Sequence, residues 1–251
     1  MIKSWLIALQ FLTRLPLPKH ILRDNDYTPQ RLGGSVLWYP IVGLLIGVLL
    51  ASIPWCVQHV MDKQLPLLQA GLVLSAWVLI TGALHLDGLA DSADAWVGGY
   101  GDRQKTLAIM LDPYTGPVGV SVLVTVLIIR FAALSTVVTQ PLLWLVLVPF
   151  LARAAIIALF LTTPYVRKQG IAAEHATHLP RMVAWGMLLF SVGVCYVVFN
   201  NHTLWLILVT AVMFVLLRRL MLQRLGGMTG DTAGAMIELT ETALLVTLAL
   251  L

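Results

Sequence analysis

Three aspartates between residues 85 and 94 are spaced so that they would share one face of a helix. Asp87, Asp91 and Asp94 occupy positions i, i+4 and i+7, and side chains at that spacing lie above one another along a helix. Like charges in one row repel each other, and no Lys or Arg lies between Asp87 and Asp102 to neutralise them. The row predicts either a solvated acidic helix end or a cation site. We favour a site in which Mg²⁺ is held by these carboxylates together with substrate phosphates.

A second group of acids follows a glycine-rich segment, GGMTGDTAG at 226–234. Such a turn exposes backbone N–H groups, and the start of a helix adds partial positive charge, so both favour phosphate. Asp231 is therefore either a functional acid or only the N-cap of the next helix. Glu238 and Glu241 lie one to two turns further along, where ionisable groups usually face the interior of a bundle. The candidate substrate-binding positions here are Gly227, Thr229, Gly230 and Glu241.

Five arginines could bind phosphate or balance the acids. Arg130 and Arg153 fall inside long apolar stretches, where a charged side chain costs roughly 2.5–3.5 kcal/mol at the middle of a spanning helix. Each needs a partner, which is either a carboxylate of the bundle or a bound anion. Arg14, Arg103 and Arg167 lie in polar connecting segments, where they are candidates for phosphate binding.

His85 has two interpretations. An imidazole titrates near neutral pH, so His85 is a candidate general base. However, on a helix its side chain would point about 160° away from that of Asp87. A packing role is therefore equally compatible with the sequence.

The composition restricts what can carry these residues. Of the 251 residues, 59% are hydrophobic and only 11% are charged, against ~25% charged in a soluble domain. Soluble enzymes, disordered chains and fibrous repeats are excluded on this ground. The two cysteines have no CxxC spacing, so neither redox chemistry nor a zinc site is indicated.

We predict an all-α polytopic transmembrane helical bundle of about seven spans, forming a single domain over 1–251. A surface or re-entrant helix at 3–14 precedes the spans, and the acidic motif occupies 85–112. The predicted spans are 33–57, 65–86, 117–138, 141–163, 182–200, 203–217 and 234–251.

The basic residues predict the orientation of this bundle. Arg130 and Arg153 lie within spans, and Lys63 lies between the first two. Every other Lys and Arg falls in the N-terminal segment or in alternate loops, which places the N-terminus and the acidic segments on the cytoplasmic side. The net charge of +4 reflects these loops, so the expected partner is the lipid bilayer and not nucleic acid.

Several motifs together resemble the cobalamin synthase family, also called adenosylcobinamide-GDP ribazoletransferases. The two principal matches are HLDGLADSADAW at 85–96 and GGMTGDTAG at 226–234. The other matches are FLTRLP at 11–16, Tyr39-Pro40 with Gly43 and Gly47, Asp102-Arg103, Ile109-Met110 with Asp112, and PYVR at 164–167 with Gly170. The turn at 113–119, PYTGPVG, departs from the family pattern and lacks an expected basic residue.

The resemblance implies a late step of vitamin B12 assembly. Adenosylcobinamide-GDP would be joined to α-ribazole, or to its 5′-phosphate, by attack of a ribose 3′-hydroxyl, with release of GMP. It also implies Mg²⁺ as cofactor and the bacterial inner membrane as location, with the active site facing the cytoplasm. The resemblance leaves undecided whether the protein forms a homo-oligomer or a complex with other corrinoid-assembly enzymes.

The combined interpretation assigns each candidate residue a role. The predicted catalytic residues are Asp91, Asp231 and His85. The predicted metal ligands are Asp87, Asp91, Asp94 and Asp231. The predicted substrate-binding residues are Arg14, Arg103, Asp112, Arg153, Arg167, Gly227, Thr229, Gly230 and Glu241.

Two other functions also fit parts of the sequence. CDP-alcohol phosphotransferases carry a DGxxA core, which Asp87-Gly88-Leu89-Ala90 matches, but Asp91 stands where that family has Arg. A transporter would place its coupling charges near the bilayer midplane, whereas these acids cluster at one predicted edge. An enzyme is therefore the favoured class.

Overall fold

A computed structural model describes residues 1–18, 21–60, 62, 64–167, 170–198 and 201–251. Among these residues there is no β-strand, and most connections between the α-helices are short, apart from residues 13–28. In chain order the helices are α1 (Ile2–Leu12), α2 (Pro29–Ser35), α3 (Tyr39–Val60), α4 (Pro66–Thr81), α5 (Leu84–Gly98), α6 (Arg103–Ile109), α7 (Pro117–Val137), α8 (Leu143–Thr162), α9 (Ile171–Thr177), α10 (Arg181–Val198), α11 (Asn201–Leu225) and α12 (Gly230–Leu250). The all-α prediction is confirmed.

Five segments are long and apolar enough to cross a membrane, and two bent helix pairs raise the number of spans to as many as seven. The five are Pro29–Val60, which ends with α3, and α7, α8, α11 and α12. The bent pairs are α4 with α5 and α9 with α10. The order of these segments agrees with the seven predicted spans. The helix of the sixth predicted span, α11, continues to Leu225, so the predicted end at 217 was too early. Residues 199 and 200 of the fifth predicted span lie outside the described residues.

The second predicted span, 65–86, is not one straight helix. α4 ends at Thr81, and α5 leaves it at an angle of 86°. Gly82 and Ala83 between them both adopt left-handed backbone conformations, with φ of 61° and 57°. A left-handed residue after a helix caps its C-terminus and redirects the chain. The acidic motif is therefore carried by a separate helix that turns away from the span before it.

The helix α8 lies at the centre of the bundle. In its apolar window 89% of the residues are buried, against 11% in that of α11, so α11 presents most of its apolar surface outward. α8 packs closely on α3 because glycines of α3 face it. A Cβ added at Gly47 would lie 2.6 Å from Val146 Cα, and one at Gly43 would contact the Pro149 carbonyl oxygen.

The helices α5 and α12 cross closely and carry the two predicted functional motifs. A Cβ added at Gly88 of α5 would lie 2.7 Å from the backbone oxygen of Asp231. One added at Gly234 of α12 would lie 3.3 Å from His85 Cα. The small residues of both motifs therefore let the two backbones meet, which places the acidic row of α5 beside the start of α12.

Candidate active site

The acidic row lies on a helix, as the spacing predicted. α5 covers Leu84–Gly98, and Asp87 is exposed while Asp91 and Asp94 are half-buried. No hydrogen bond or ion pair engages the carboxylates of Asp87 and Asp91 in the described part of the chain. The charges of Asp87, Asp231 and Asp94 all act on Asp91, and Arg167 opposes them. This edge of α5 therefore has an excess of negative charge. We call the group formed by Asp87, Asp91, Asp231 and Arg167 the acidic edge.

The start of α12 is held by Thr229 and not by Asp231. Thr229 is the N-cap, and its Oγ1 accepts a hydrogen bond from Thr232 N–H at 3.2 Å. The Thr232 hydroxyl in turn accepts one from Thr229 N–H at 2.9 Å, so the cap is reciprocal. The N-cap interpretation of Asp231 is therefore wrong. Its side chain lies in the first helical turn, where a carboxylate is favoured by the helix dipole.

Arg167 reaches this edge from the loop after α8. Its Nη2 donates to Asp231 Oδ2 at 2.6 Å, and both side chains are about one-fifth exposed. The loop is fixed by a backbone bridge, in which Val166 N–H donates to Met228 O at 3.0 Å and Met228 N–H donates to Pro164 O at 2.8 Å. The bridge brings the PYVR loop and the glycine-rich segment together. The positively charged side chain of Arg167 therefore lies beside Asp231.

Gly227 and Tyr165 support the same bridge. A Cβ at Gly227 would contact the Pro164 carbonyl oxygen, so this glycine is needed for close backbone approach. Burial raises the pKa of Tyr165, which keeps its hydroxyl neutral beside the Arg167–Asp231 pair. Gly230 has no heavy atom within 4 Å of an added Cβ, so the space in front of it is open to a ligand.

Asp94 has a different environment from its two neighbours on α5. Its Oδ2 accepts a hydrogen bond from Gly116 N–H at 2.6 Å, and its Oδ1 accepts one from Gly119 N–H at 2.9 Å. These donors belong to the 113–119 turn and the first turn of α7. Asp94 thus anchors the turn that departs from the family pattern, a role that the sequence did not indicate.

The acidic edge has the donor chemistry of a Mg²⁺ site, since this ion prefers carboxylate and phosphate oxygens. Within the described residues, however, no three Asp, Glu, His or Cys side chains lie close enough together to hold an ion by themselves. Asp87, Asp91 and Asp231 could supply some of its ligands. The remaining oxygens would have to come from phosphate groups of a substrate.

Behind this edge, four charged side chains form a buried cluster, which we call the core charge cluster: Arg130, Arg153, Glu238 and Glu241. Arg130 Nη1 lies 2.8 Å from Glu238 Oε2, and its Nη2 lies 2.8 Å from Glu241 Oε2. Arg153 pairs with Glu241, and both are fully buried. The two arginines of the spans therefore find carboxylate partners, one of the two alternatives given by the sequence. The predicted substrate-binding residues Arg153 and Glu241 are bonded to each other here.

A cavity of about 680 Å³, counting the space that opens to solvent, adjoins the acidic edge. Asp87 and Asp231 line one part of it, and the buried rings of Tyr39, Phe160 and His175 line another. His85 also lines it. This histidine is 4% exposed, and neither ring nitrogen has a hydrogen-bond partner among the described residues, although Nδ1 lies 4.0 Å from Glu238 Oε1.

Three predicted substrate-binding residues lie around this edge without joining the cavity lining. Arg14 is exposed, and its backbone N–H donates to Ile80 O at 2.7 Å beside the α4–α5 break. Arg103 Nε donates to Leu225 O at 2.6 Å. Asp112 is exposed, and its carboxylate accepts from Tyr114 N–H at 3.0 Å.

The aromatic part of the cavity was missed by sequence reasoning. Its members come from four distant segments: Phe11, Tyr39, Phe160 and His175. No spacing rule connects them, because only the packing of α1, α3, α8 and α9 brings them together. The only sequence signals near these residues are the motifs FLTRLP, which contains Phe11, and Tyr39-Pro40, and neither motif predicts an aromatic cavity.

With this geometry in place, comparison with known proteins gives the family. The profile of the cobalamin-5-phosphate synthase family matches residues 4–249. The chain belongs to this family. The match covers both functional motifs and the loop that carries Arg167, so the cobalamin-5-phosphate synthase assignment includes every residue of the acidic edge. It does not favour the CDP-alcohol phosphotransferase or the transporter.

Individual members of the cobalamin-5-phosphate synthase family align along their whole length. The adenosylcobinamide-GDP ribazoletransferase of Pseudomonas entomophila (strain L48) is 52% identical over 252 residues, covering 100% of both chains. That of Pseudomonas aeruginosa (strain PAO1) is 52% identical over 99% of this chain and 98% of its own. That of Pseudomonas fluorescens (strain Pf0-1) is 49% identical over 100% of both. No solved structure matches the chain.

Proposed function

We propose that this protein joins adenosylcobinamide-GDP to α-ribazole or its 5′-phosphate, releasing GMP and forming adenosylcobalamin or its 5′-phosphate. One observation carries the proposal beyond the family assignment. The carboxylates of Asp87 and Asp91 bond no cation among the described residues and lie near the Arg167–Asp231 pair. Asp87 and Asp231 also line a cavity. A phosphoryl transfer needs both signs of charge at one place, because a base must take a proton while cations stabilise phosphate oxygens.

In this reaction the acceptor hydroxyl oxygen forms a bond to the phosphorus that bears the corrinoid. The bond from that phosphorus to the bridging oxygen breaks, and the oxygen leaves with GMP. Asp91 takes the hydroxyl proton, since its carboxylate has no other partner in the described structure. Arg167, oriented by Asp231, binds phosphate oxygens. Charge-assisted hydrogen bonds of this kind are the strong ones.

Mg²⁺ is the proposed cofactor. When bound, it would offset the charge of the diphosphate oxygens. Asp87 and Asp231 are residues of this chain that would hold it, together with phosphate oxygens of the substrate. Asp91 would contribute only through the carboxylate oxygen that does not take the proton. Asp94 is a further candidate only if its carboxylate binds the ion while still accepting from Gly116 and Gly119.

We further propose that the protein lies in the bacterial inner membrane with its N-terminus and acidic edge on the cytoplasmic side. The support is the distribution of Lys and Arg among alternate loops, which sets orientation in polytopic proteins. The corrinoid nucleotide, the α-ribazole acceptor and the bilayer are the proposed partners. A homo-oligomer and a complex with other corrinoid-assembly enzymes remain predictions that no contact in this single chain supports.

The test is a two-substrate assay with purified protein in detergent or nanodiscs. Adenosylcobinamide-GDP and α-ribazole are supplied with and without Mg²⁺, and chromatography follows the corrinoid product and GMP. We expect Mg²⁺-dependent formation of both products in equal amounts. Folded protein that releases no GMP would overturn the proposal, and CDP-alcohol donors would then be tried.

A further inference from the structure

The cavity beside the acidic edge has two chemically different ends. At one end Asp87 is exposed and Asp231 is partly exposed. At the other, Tyr39 and Phe160 are 2% and 6% exposed and His175 is fully buried. The space therefore leads from the reacting groups into a set of aromatic rings.

The rings are held in fixed positions around His175. Phe11 meets the imidazole edge-on with centroids 5.2 Å apart, and Tyr39 and Phe160 do so at 6.1 and 6.3 Å. The imidazole nitrogens are engaged by Tyr39 Oη at 3.2 Å and Ser35 Oγ at 3.4 Å. Because these polar atoms bond one another, the aromatic end offers mainly ring faces and edges, which suit a planar aromatic ligand.

His85, which also lines the cavity, has two ring nitrogens without a hydrogen-bond partner among the described residues. A buried polar group without a partner is costly, and such groups are rarely left unsatisfied. Both ring nitrogens are shielded from solvent, so the requirements on a ligand come from the two ends of the cavity. The cavity thus calls for a molecule with a planar apolar ring system at one end and a reactive hydroxyl at the acidic end.

From this arrangement we propose that the cavity binds the acceptor nucleoside, with its planar heteroaromatic base against Phe11, Tyr39 and Phe160 and its ribose toward Asp87 and Asp231. The inference rests on the proposed function, because that function supplies an acceptor whose base is a dimethylated benzimidazole. The guanine of the donor fits less well. Its edge carries several donors and acceptors that the aromatic end would leave unpaired.

Ala172 of α9 gives a direct test, since it lines the cavity and is only half-buried. A phenylalanine there would fill the space without replacing a core side chain. The matched control is Ala173→Phe on the same short helix, because Ala173 is also half-buried and does not line the cavity. Ala172→Leu is a milder second variant in case the larger ring prevents folding.

We expect Ala172→Phe to raise KM for α-ribazole about tenfold or more and to leave KM for adenosylcobinamide-GDP within about twofold. Ala173→Phe should change neither. Phe11→Leu, which removes one ring, should raise the acceptor KM about three- to tenfold. Free benzimidazole should compete with α-ribazole in the wild type and lose most of this inhibition in Ala172→Phe.

The other outcomes are also decisive. An unchanged acceptor KM in Ala172→Phe, or a rise confined to the donor KM, would overturn the inference while the wild-type activity stands. Bound phospholipid that decreases in Ala172→Phe with no change in acceptor KM would identify a lipid as the occupant and also overturn it. Wild-type protein that forms no product would instead refute the proposed function, so the two failures are distinguishable.

Discussion

The acidic edge of α5 and the core charge cluster use the same residue types in opposite ways. In the core charge cluster, each of the four charges has a partner of opposite sign, and all four side chains are at most 3% exposed. At the acidic edge, Asp87 and Asp91 have no cation bonded to them in the described structure, and Arg167 pairs only with Asp231. One group of charges is balanced internally, and the other is left incomplete.

The difference separates charges that the fold pairs from charges that bond no cation in the described structure. Buried charges must be paired, because leaving one alone in a low-dielectric interior is expensive. The core charge cluster satisfies this requirement by itself and ties α7 and α8 to α12. The acidic edge is partly exposed to solvent, which lowers the cost of its surplus negative charge. Binding of a phosphate-bound cation or of a proton would reduce that surplus. Changing residues in the two regions should therefore affect different quantities.

The largest effect on stability is expected in the core charge cluster. Arg153→Met leaves Glu241 Oε1 buried without its cation, and removing one partner of a buried pair costs about 3–5 kcal/mol. The Tm in detergent should fall accordingly, and the double variant Arg153→Met/Glu241→Gln should recover part of the loss because the unpaired charge is gone. Arg219→Met, an exposed control, should change the free energy of unfolding by less than ~0.5 kcal/mol. Equal stability of Arg153→Met and Arg219→Met would contradict this role.

A smaller effect is expected at Asp94, where the acidic row meets the 113–119 turn. Asn has one acceptor oxygen, so Asp94→Asn keeps only one of the bonds from Gly116 and Gly119. The loss of a hydrogen bond to a charged group costs about 1.5–3 kcal/mol. We expect a lower Tm with an unchanged Mg²⁺ concentration for half-maximal activity. Asp102→Asn is the control, since Asp102 caps α6 and Asn caps helices equally well.

A changed Mg²⁺ requirement in Asp94→Asn, without loss of Tm, would make Asp94 a metal ligand instead of an anchor. This outcome would also restore the simplest interpretation of the i, i+4, i+7 spacing. The measurement therefore decides whether the acidic row is one functional unit or two.

The smallest effect is expected at Asp26, a paired charge outside both regions. Its hydrogen bond from Lys3, with further bonds from Arg23 N–H and Arg31, lowers its pKa to about 2. A lowered folded-state pKa stabilises the protein above the unfolded value of 3.8, and the contribution is lost as the pH falls toward 2. Asp26→Asn should lower Tm by about 1–3 °C at pH 6. The difference from wild type should shrink between pH 4 and pH 2, and a constant difference would contradict the ion-pair explanation.

The sequence predicted the regular parts of this molecule well. Apolar run length is enough to locate the spans, and the 3.6-residue period is enough to align Asp87 and Asp91. The cost of a charge within a span also predicted that Arg130 and Arg153 would have partners. These inferences rest on local or additive physics, so they need no tertiary information.

The unpredicted features depend on tertiary contacts or on backbone geometry. The left-handed pair Gly82-Ala83 turns α5 by 86° from α4, within a segment predicted as the single span 65–86. The choice of Thr229 over Asp231 as the N-cap depends on a reciprocal bond with Thr232. The cavity joins residues as far apart as Phe11 and His175, which no local pattern connects.

The proposed role of the Asp87 and Asp91 carboxylates, which bond no cation in the described structure, is to perform the transfer. It is tested most directly by Asp91→Asn, which keeps the size of the side chain but removes its charge and basicity. The measurement is product formed per folded molecule in the two-substrate assay, with Tm recorded for the same sample. We predict a loss of about 10²–10⁴-fold, the usual contribution of a general base, with Tm unchanged. Turnover within a few-fold of wild type would contradict the account.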